Sequence, residues 1–392
     1  MSTHFEHSPE VLVVGAGPSG LALSVALARR GIRVEVIDRA RKPSDGLRAV
    51  ALQAGTLELL QRSLGRDAVD RIVTEGKPLS EIVAHHRERR IVLNLATLPT
   101  PYPFILSLEQ SRLEQLLTEE LTRAGVQVRR GHELKAFNRE NDSVTCELSG
   151  PGGEHIRTGS RYLVGCDGPH SMVRSSLGVA FAGHPDPHEY FVADIDLAGD
   201  ELSPHAHHLF FSTSGIAAIY PLPGRRNHRA LLVPNRPSGT SANFFDMAAR
   251  LLPVSIRVGN AHAVGHLHFH DRISPKLRLG HVLLAGDAAH VCNPAGGQGM
   301  NLGLHDVSCL APILAGALRH NSLTHLDEYE KHRLRAAREV RSLTRKLMAA
   351  CDLSDSFFFR HLLWPAFEWN GPKRRLLMQI SQLSLAQRAE LV

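Results

Sequence analysis

The chain has 392 residues, of which 43% are hydrophobic and 21% are charged, as in an ordinary globular protein of about two domains. Its formal net charge is +6, but the cations are spread along the chain without a nucleic-acid-binding motif, so we expect no nucleic-acid partner. No signal-peptide pattern, apolar run of membrane-spanning length or CxxC motif occurs. We therefore expect a cytoplasmic protein without disulfides, zinc or an integral membrane segment.

The first predicted elements are a strand, a glycine-rich turn and a helix. Residues 10–14 are apolar, residues 15–20 read Gly-Ala-Gly-Pro-Ser-Gly, and residues 21–30 have a helical pattern that ends at a glycine. A second strand, residues 34–37, ends at Asp38. In such a unit the glycines let a pyrophosphate approach the helix N-terminus, and an acidic residue about 20 positions later binds a ribose. The pattern predicts a bound dinucleotide and leaves NAD and FAD open.

The remaining elements define two sheets and a C-terminal helical region. Helices are expected at residues 54–62, 111–123 and 301–317 and beyond residue 326. Strands are expected at residues 126–128, 144–148, 155–157, 162–165, 207–211, 217–222, 229–233, 262–270 and 282–285. Together they predict an α/β fold with a doubly wound, mostly parallel sheet, an inserted antiparallel sheet and C-terminal helices.

The two sheets are expected to belong to two domains. We assign the nucleotide-binding domain to residues 1–75, 104–178 and 275–325. We assign the substrate domain to residues 76–103 and 179–274, and a C-terminal helical segment to residues 326–392. The apolar stretch 357–367 is expected to pack as a buried amphipathic helix, and a pocket wall or a contact with a membrane surface is left open.

Two later motifs each place an aspartate directly after an apolar strand. They are Asp167-Gly168 and Gly286-Asp287, and the second is followed by a glycine-rich run at residues 294–301. A carboxylate in the second motif can accept a hydrogen bond from a ribityl hydroxyl, and backbone N–H groups in the run can stabilise negative charge on a reduced flavin. Singly, each aspartate would be interpreted as a helix cap or a turn residue. In this order, the three motifs predict FAD.

Five stretches of the chain resemble the group A flavoprotein monooxygenases, the para-hydroxybenzoate hydroxylase-like family. They are residues 11–40, 47–60, 108–117, 162–178 and 280–307. The resemblance implies an FAD enzyme that takes electrons from NADPH or NADH and uses O2 to hydroxylate an aromatic or polycyclic small molecule through a flavin C4a-hydroperoxide. Because no second GxGxxG motif occurs, it also implies that NAD(P)H binds transiently rather than in a second dinucleotide domain.

The resemblance further implies which residues contact the cofactor. The adenosine and pyrophosphate half of FAD is assigned to Gly15, Gly17, Pro18, Ser19, Gly20, Asp38, Arg39 and Arg48. Further contacts are assigned to Gln110, Asp167 and Asp287, the last on the ribityl chain. The flavin ring is assigned to Pro294, Gly296, Gly297, Gly299, Met300 and Asn301. The backbone of Pro294, Gly296 and Gly297 would lie beside the reacting atoms, since the cofactor itself does the chemistry.

Alternation along the predicted strands indicates a substrate pocket and argues against a metal site. Three residues are expected to contact the substrate, namely Phe210, Tyr220 and Pro221. Three histidines, His266, His268 and His270, would share one face of a strand, where imidazoles could bind a metal. A solvent-facing or pocket-lining face is the favoured interpretation of this pattern, so we predict no metal.

Several alternatives are left open by the sequence. Epoxidation, Baeyer–Villiger oxygen insertion and N-hydroxylation use the same scaffold, because the motifs specify the cofactor rather than the substrate. A flavin-dependent reductase that does not use oxygen and a non-catalytic protein that binds flavin and a small molecule are alternatives of other kinds. The sequence predicts neither the substrate, nor the choice between NADPH and NADH, nor whether the protein is a monomer or a dimer.

Overall fold

The computed structural model describes residues 8–44, 46–198, 202–224, 227–236, 243–323, 325–353, 356, 364 and 369–388. The apolar stretch 357–367 lies outside these residues except for Trp364, which is buried. The helices are α1 (Pro18–Ala28), α2 (Ala54–Leu64), α3 (Arg66–Glu75), α4 (Gln110–Arg123), α5 (Met172–Ser176), α6 (Phe244–Leu251), α7 (Gly299–His320) and α8 (Leu326–Asp352), followed by helices Asn370–Ile380 and Leu383–Arg388.

The strands are short and belong to several sheets. In chain order they are β1 (Val11–Val14), β2 (Val34–Asp38), β3 (Ala51–Leu52), β4 (Lys77–Leu79), β5 (Glu81–His86), β6 (Arg89–Asn94), β7 (Ile105–Ser107), β8 (Val128–Arg130), β9 (Glu133–Arg139), β10 (Val144–Ser149), β11 (His155–Ser160), β12 (Tyr162–Gly165), β13 (Ala182–Pro185), β14 (Tyr190–Ala198), β15 (Ala206–Ser212), β16 (Gly215–Pro221), β17 (Asn227–Pro234), β18 (Arg257–Leu267), β19 (His270–Ile273), β20 (Arg278–Leu279), β21 (Val282–Leu284) and β22 (His290–Val291). Helices and strands alternate in the first part of the chain, so the fold is α/β.

A six-stranded sheet, which we call the parallel sheet, brings the three sequence motifs together. Its order is β20-β21-β12-β1-β2-β8, and only β20 runs antiparallel to its neighbour. Val14 at the end of β1 pairs with Gly165 at the end of β12, which in turn pairs with Leu284 at the end of β21. Because these parallel strands end at the same edge, the loops that carry the three motifs meet there.

Small residues allow these loops to approach one another closely. Ser19, at the start of α1, lies against Gly286 and Gly303, and a Cβ on Gly303 would lie 2.5 Å from Ser19 Oγ and 3.0 Å from Gly286 Cα. A Cβ on Gly20 would collide with the backbone of Gly15. Side chains at these positions would therefore force α1, α7 and the Gly286-Asp287 turn apart.

A seven-stranded sheet lies over this edge, in the order β18-β14-β17-β16-β15-β5-β6. It is antiparallel except where β5 pairs with β15, a parallel pair that the sequence pattern did not predict. The two strands come from distant parts of the chain, so no hairpin dictates their direction. One face of the sheet packs on α6. The other, which we call the inner face, packs against residues of β3, α2 and the C-terminal helices.

The prediction of one strand over residues 262–270 is wrong at its end. β18 ends at Leu267 and β19 begins at His270, because Phe269 turns to pack edge-on against Tyr190 with ring centroids 4.9 Å apart. His266 stacks on Phe191 in the seven-stranded sheet, with ring centroids 4.5 Å apart. The rings of His266 and His268 remain neighbours, with centroids 4.8 Å apart, but His270 belongs to the next strand, so the three histidines do not share one strand face. Within the described part of the chain, no group of three or more histidine, cysteine or acidic side chains is arranged to hold a metal ion.

The C-terminal helices pack where the two main sheets meet. α8 lies along α7, and the turn after helix Asn370–Ile380 reaches the start of α2, where Gly55 N donates to Ser381 O at 2.9 Å. The segment Ala295–His320 is long enough to span a membrane, and an 18-residue window within it is apolar enough by composition, with a mean hydropathy of 1.2. Of its apolar window 83% is buried within the fold, as is usual for the central helix of a packed core.

Replacing Gly303 by alanine will destabilise the fold, because the added Cβ meets Ser19 Oγ and Gly286 Cα. We expect the free energy of unfolding in urea to fall by about 1–3 kcal/mol. Gly316 in the same helix is the matched control, since a Cβ built there meets nothing within 4 Å. Gly316→Ala should raise the free energy of unfolding by up to about 1 kcal/mol through helix propensity. Equal effects of the two substitutions would contradict the close packing around Ser19.

Candidate active site

The glycine-rich turn between β1 and α1 borders open space. Gly15 has a φ of +105°, in the region that favours glycine, and a Cβ there would collide with the backbone of Cys166. A Cβ on Gly17, in contrast, would meet no atom of the described residues within 4 Å. Gly17 is the N-cap of α1 and Pro18 the first helical residue, so the N–H groups of the first turn have no side-chain cap. The turn can therefore receive an anionic group at the helix N-terminus.

Asp38 closes β2 beside the same turn. Its Oδ2 atom accepts a hydrogen bond from Ala16 N at 2.7 Å, and its Oδ1 atom accepts one from Ala40 N at 2.7 Å. These bonds fix the carboxylate at the edge of the turn, and each oxygen keeps a lone pair for a further donor such as a ribose hydroxyl. The next residue, Arg39, is exposed.

Arg48, Gln110 and Glu114 form a polar edge next to the turn. Gln110 Nε2 donates to Glu114 Oε1 at 2.8 Å, and Arg48 Nε donates to Ser44 Oγ at 3.1 Å. Burial raises the pKa of Glu114, while the Gln110 hydrogen bond and the positive charge of Arg48 oppose that rise. The charge of Arg48 also acts against the raised pKa of Asp287, so the exposed arginine lies within electrostatic reach of both carboxyl groups.

Asp167 binds the start of helix α5, whose N-cap residue is Ser171. Its Oδ1 atom accepts from Ser171 Oγ at 2.6 Å, and its Oδ2 atom accepts from the backbone N–H groups of Met172 at 2.7 Å and Val173 at 3.1 Å. Both oxygens thus bind the first residues of α5, as expected if an aspartate in this position only stabilises the start of the helix. Arg174 in the same helix donates to Ala288 O at 2.8 Å, which ties the second motif to the third.

A fully buried ion cluster holds the turn that carries Asp287. Asp306 in α7 accepts from Gly286 N at 2.8 Å and from Arg333 Nε at 2.6 Å, and His290 Nε2 lies 2.8 Å from its Oδ2 atom. Burial alone would raise the pKa of Asp306, but the nearby His290 and Arg333 and the hydrogen bond from Arg333 hold it at about 2. The side chain of Asp287 is accessible to solvent, but the many protein atoms around the turn desolvate its carboxylate in part and raise its pKa, against the charges of His290 and Arg48.

Carboxamide side chains turn the carbonyl groups of the loop at residues 294–298 into the protein. Gly296 O accepts from Gln53 Nε2 at 3.0 Å and from Gln298 Nε2 at 2.7 Å, and Gly297 O accepts from Asn301 Nδ2 at 2.7 Å. The two glycines have φ values of +72° and +65°, a conformation that a side chain would strain. The loop is therefore fixed in one orientation.

The same loop leads into the N-terminus of α7. Gln298 is the N-cap and makes no side-chain cap, so the N–H groups of Gly299, Met300 and Asn301 have no partner within the helix. Asn301 is fully buried, and its side chain bonds Gln53 N at 2.9 Å and Ala51 O at 2.8 Å as well as Gly297 O. Its side chain thus positions the backbone, and the free N–H groups and the helix dipole are suited to an anionic ring edge.

The inner face of the seven-stranded sheet carries one polar row. Arg229 makes two bonds to Asp194, at 2.7 and 2.6 Å, and donates to Arg48 O at 2.6 Å. Next in the row Tyr220 pairs with Arg229 across the strands and stacks on His207, with ring centroids 3.7 Å apart. Burial lowers the pKa of His207 to about 3, so its ring is neutral. Its Nε2 atom is buried and has no hydrogen-bond partner in the residues that the structure describes.

The three expected substrate residues do not lie together. Tyr220 belongs to the hydrophobic cluster of the inner face, with Ala218 and Leu222. Phe210 packs on the opposite face in the cluster around α6, next to His85. Pro221 ends β16 and is buried. The alternation of the strands explains this separation, because Phe210 pairs with Ala217, an odd number of positions from Tyr220 on β16, and so points to the opposite face.

The chemistry of this donor set fits an FAD molecule. The edge of the parallel sheet offers open space beside Gly17, an accessible carboxylate on Asp287 and uncapped N–H groups on α7, in the order that the three motifs suggest. Two residues that hold this arrangement, Asp306 and Arg333, were not predicted from the sequence, and Gln298 was included only as part of the glycine-rich run. The available signal was Asp306 itself, an acidic residue between apolar helix positions, which has to be paired when it is buried.

Replacing Asp306 by asparagine will remove the charge that pairs with buried Arg333 and His290. We expect the free energy of unfolding at neutral pH to fall by about 3–5 kcal/mol, measured in denaturant. Asp70, an exposed aspartate, is the matched control, and Asp70→Asn should change it by less than about 1 kcal/mol.

The pH dependence of this loss has a definite sign. The folded pKa of Asp306 is about 2, below its ordinary value of 3.8, so its contribution is complete above pH 3.8 and is lost as the pH falls towards 2. The difference between the unfolding free energies of wild type and Asp306→Asn should therefore narrow over that interval. A difference that stays constant from neutral pH to pH 2 would show that the charge of Asp306 does not act in this way.

The chain matches proteins that are already known. A family model described as an FAD binding domain matches residues 8–344. The 6-methylpretetramide 4-monooxygenase of Streptomyces rimosus is 35% identical over 357 residues, which cover 89% of this chain and 63% of that relative. The chain thus spans slightly less than two thirds of the length of this curated relative.

Solved structures show the same fold over nearly the whole chain. The p-nitrophenol 4-monooxygenase PnpA from Pseudomonas putida DLL-E4 superimposes with a TM-score of 0.85 and 26% identity, covering 97% of this chain and 98% of its own. The anhydrotetracycline hydroxylase OxyS from Streptomyces rimosus has a TM-score of 0.78 and 30% identity, covering 96% of this chain and 76% of its own. The predicted resemblance to the group A flavoprotein monooxygenases is confirmed, and the chain belongs to the FAD-binding-domain family.

Proposed function

We propose that this protein is an FAD-dependent monooxygenase that uses NADPH or NADH to hydroxylate an aromatic or polycyclic small molecule. The observation that carries the proposal is the loop at residues 294–298. Its carbonyl groups are bound by carboxamides inside the protein, and uncapped N–H groups of α7 follow it at the edge where the three motifs meet. Such an array stabilises negative charge on a reduced flavin ring, which a reaction with oxygen requires.

The proposed cofactor site follows that edge of the parallel sheet. The glycine-rich turn and Asp38 would hold the adenosine and pyrophosphate half of FAD, Arg48 and Gln110 would flank it, and Asp287 would bind the ribityl chain. When bound, FAD supplies the electron transfer and oxygen activation that amino-acid side chains cannot perform. The protein holds the cofactor, orients the substrate and keeps water from the reacting atoms.

The inner face supports a flat aromatic substrate. Next to the polar row lies an apolar row in which Leu209, Ala218 and Leu231 are neighbours across the strands. Leu209 and Leu231 are only half-buried, although they lie on interior strands of the sheet. A small alanine between two leucines provides a floor for a planar ring, and the polar row provides donors for a ring oxygen. The relatives named for 6-methylpretetramide, anhydrotetracycline and p-nitrophenol suggest ring systems of one to several rings.

The proposal predicts coupled consumption of NAD(P)H and oxygen. Overall, one oxygen atom enters the product and the other leaves as water with two electrons from NAD(P)H. With a panel of phenols and polycyclic aromatic ketones, we expect one class to increase both rates, and its product to be about 16 mass units heavier. NAD(P)H oxidation without oxygen consumption would instead indicate a reductase. A protein that binds FAD but never oxidises NAD(P)H would refute the monooxygenase and favour a binding role.

Tyr220→Ala tests the inner face as the substrate wall. We expect the substrate KM to rise about tenfold or more and a larger share of the electrons to appear as hydrogen peroxide, because the ring is no longer held. Phe191→Leu, on the opposite face, is the control and should leave both quantities unchanged. If Tyr220→Ala changes neither quantity, the wall is elsewhere.

A further inference from the structure

The turn between helices Asn370–Ile380 and Leu383–Arg388, which we call the C-terminal turn, is hydrogen-bonded to the loop at residues 294–298, which we call the glycine loop. Gln382 Nε2 donates to Gln298 Oε1 at 2.7 Å and to Gln298 O at 3.3 Å. Gln298 Nε2 in turn donates to Gly296 O at 2.7 Å and to Ile380 O at 3.0 Å. Both glutamines are fully buried. A chain of neutral hydrogen bonds thus runs from the C-terminal turn to a carbonyl of the loop.

Gln382 is held in a costly conformation. Its φ is +57°, in the left-handed region that favours glycine and asparagine over other residues. Its Oε1 atom is buried and has no hydrogen-bond partner among the described residues. Each feature costs free energy, and such features persist where the surrounding structure demands one geometry. Gln382 directly follows the C-cap of helix Asn370–Ile380, and in this conformation its side chain donates two bonds to Gln298.

A second contact fixes the same turn from the other side. Gly55 N, in the first turn of α2, donates to Ser381 O at 2.9 Å, and a Cβ on Gly55 would lie 2.6 Å from Gln382 O. Gln53, the N-cap of α2, donates to Gly296 O at 3.0 Å. Hydrogen bonds and close packing therefore fix three segments to one another, namely the C-terminal turn, the start of α2 and the glycine loop.

We propose that Gln382 is a positioning residue for the flavin. Through Gln298 it holds the loop so that the N–H groups at the start of α7 point at the cofactor. Ile380 and Leu377, from the helix before the turn, lie in the same hydrophobic cluster as Tyr220 on the inner face. Helix Asn370–Ile380 and the turn after it therefore connect the inner face, the proposed substrate wall, to the loop beside the proposed cofactor site. This inference rests on the FAD-dependent function proposed above.

The test is Gln382→Gly in the full chain. Glycine accepts the left-handed backbone without strain, so this variant removes the side chain and should keep the fold. We expect the dissociation constant for FAD, measured by fluorescence titration of the apoprotein, to rise about tenfold, the net value of the lost hydrogen bonds. The visible absorption bands of bound FAD should shift as well. Gln379→Ala, an exposed glutamine of the preceding helix, is the control and should match wild type in both measurements.

A double-mutant cycle identifies the route of the effect. If Gln382 acts through Gln298, the loss of FAD affinity in Gln298→Ala combined with Gln382→Gly should be clearly smaller than the sum of the two single losses. A Gln382→Gly variant whose FAD affinity and flavin spectrum equal those of wild type would overturn the proposal, as would additive losses. FAD affinity is measured without turnover, so a wild type that binds FAD but oxidises no NAD(P)H would refute only the proposed monooxygenase activity.

Discussion

A single buried carboxylate, that of Asp306, links the parts of the protein that must be aligned. It accepts a hydrogen bond from Gly286 N before Asp287, pairs with Arg333 of α8 and contacts His290 after the same turn. In a low-dielectric interior such a charge is stable only when its partners are in place. The position of the Asp287 turn is therefore coupled to the docking of α8 on α7, so the cofactor site and the C-terminal helices form as one structure.

Neutral side-chain amides fix the loop at residues 294–298, as the carboxylate of Asp306 fixes the turn that carries Asp287. The carbonyl groups of the loop at residues 294–298 accept hydrogen bonds from Gln53, Gln298 and Asn301. The N–H groups and the positive end of α7 therefore remain available to a ligand. Because these side chains carry no charge, they do not compete with the helix dipole for an anionic ring edge. The glycines at the centre of the loop are needed for their positive φ and for space, and the amides around them select one conformation.

Local pattern was sufficient to predict the strand–turn–helix unit at the start of the chain and the motifs that follow later strands, because each depends on neighbours in the chain. Contacts between distant segments were not predictable. Three such features depend on partners far away in sequence. They are the parallel pairing of β5 with β15, the break of the strand at Phe269, and the hydrogen bond by which the Asn301 side chain holds Gln53 N. Asp167 shows that a motif does not fix what a single residue binds. Both of its carboxylate oxygens accept hydrogen bonds from residues four to six positions later, at the start of α5.

A crystal structure of the full chain with FAD bound would show directly whether the cofactor lies along the edge of the parallel sheet where the three motifs meet. We expect an isoalloxazine edge within hydrogen-bonding distance, about 3 Å, of the N–H groups at residues 299–301, with the ribityl chain at Asp287 and the phosphates at the turn beside Gly17. A flavin ring bound away from these groups, or a loop whose Gly296 and Gly297 carbonyls turn outward towards the ring, would contradict this expectation.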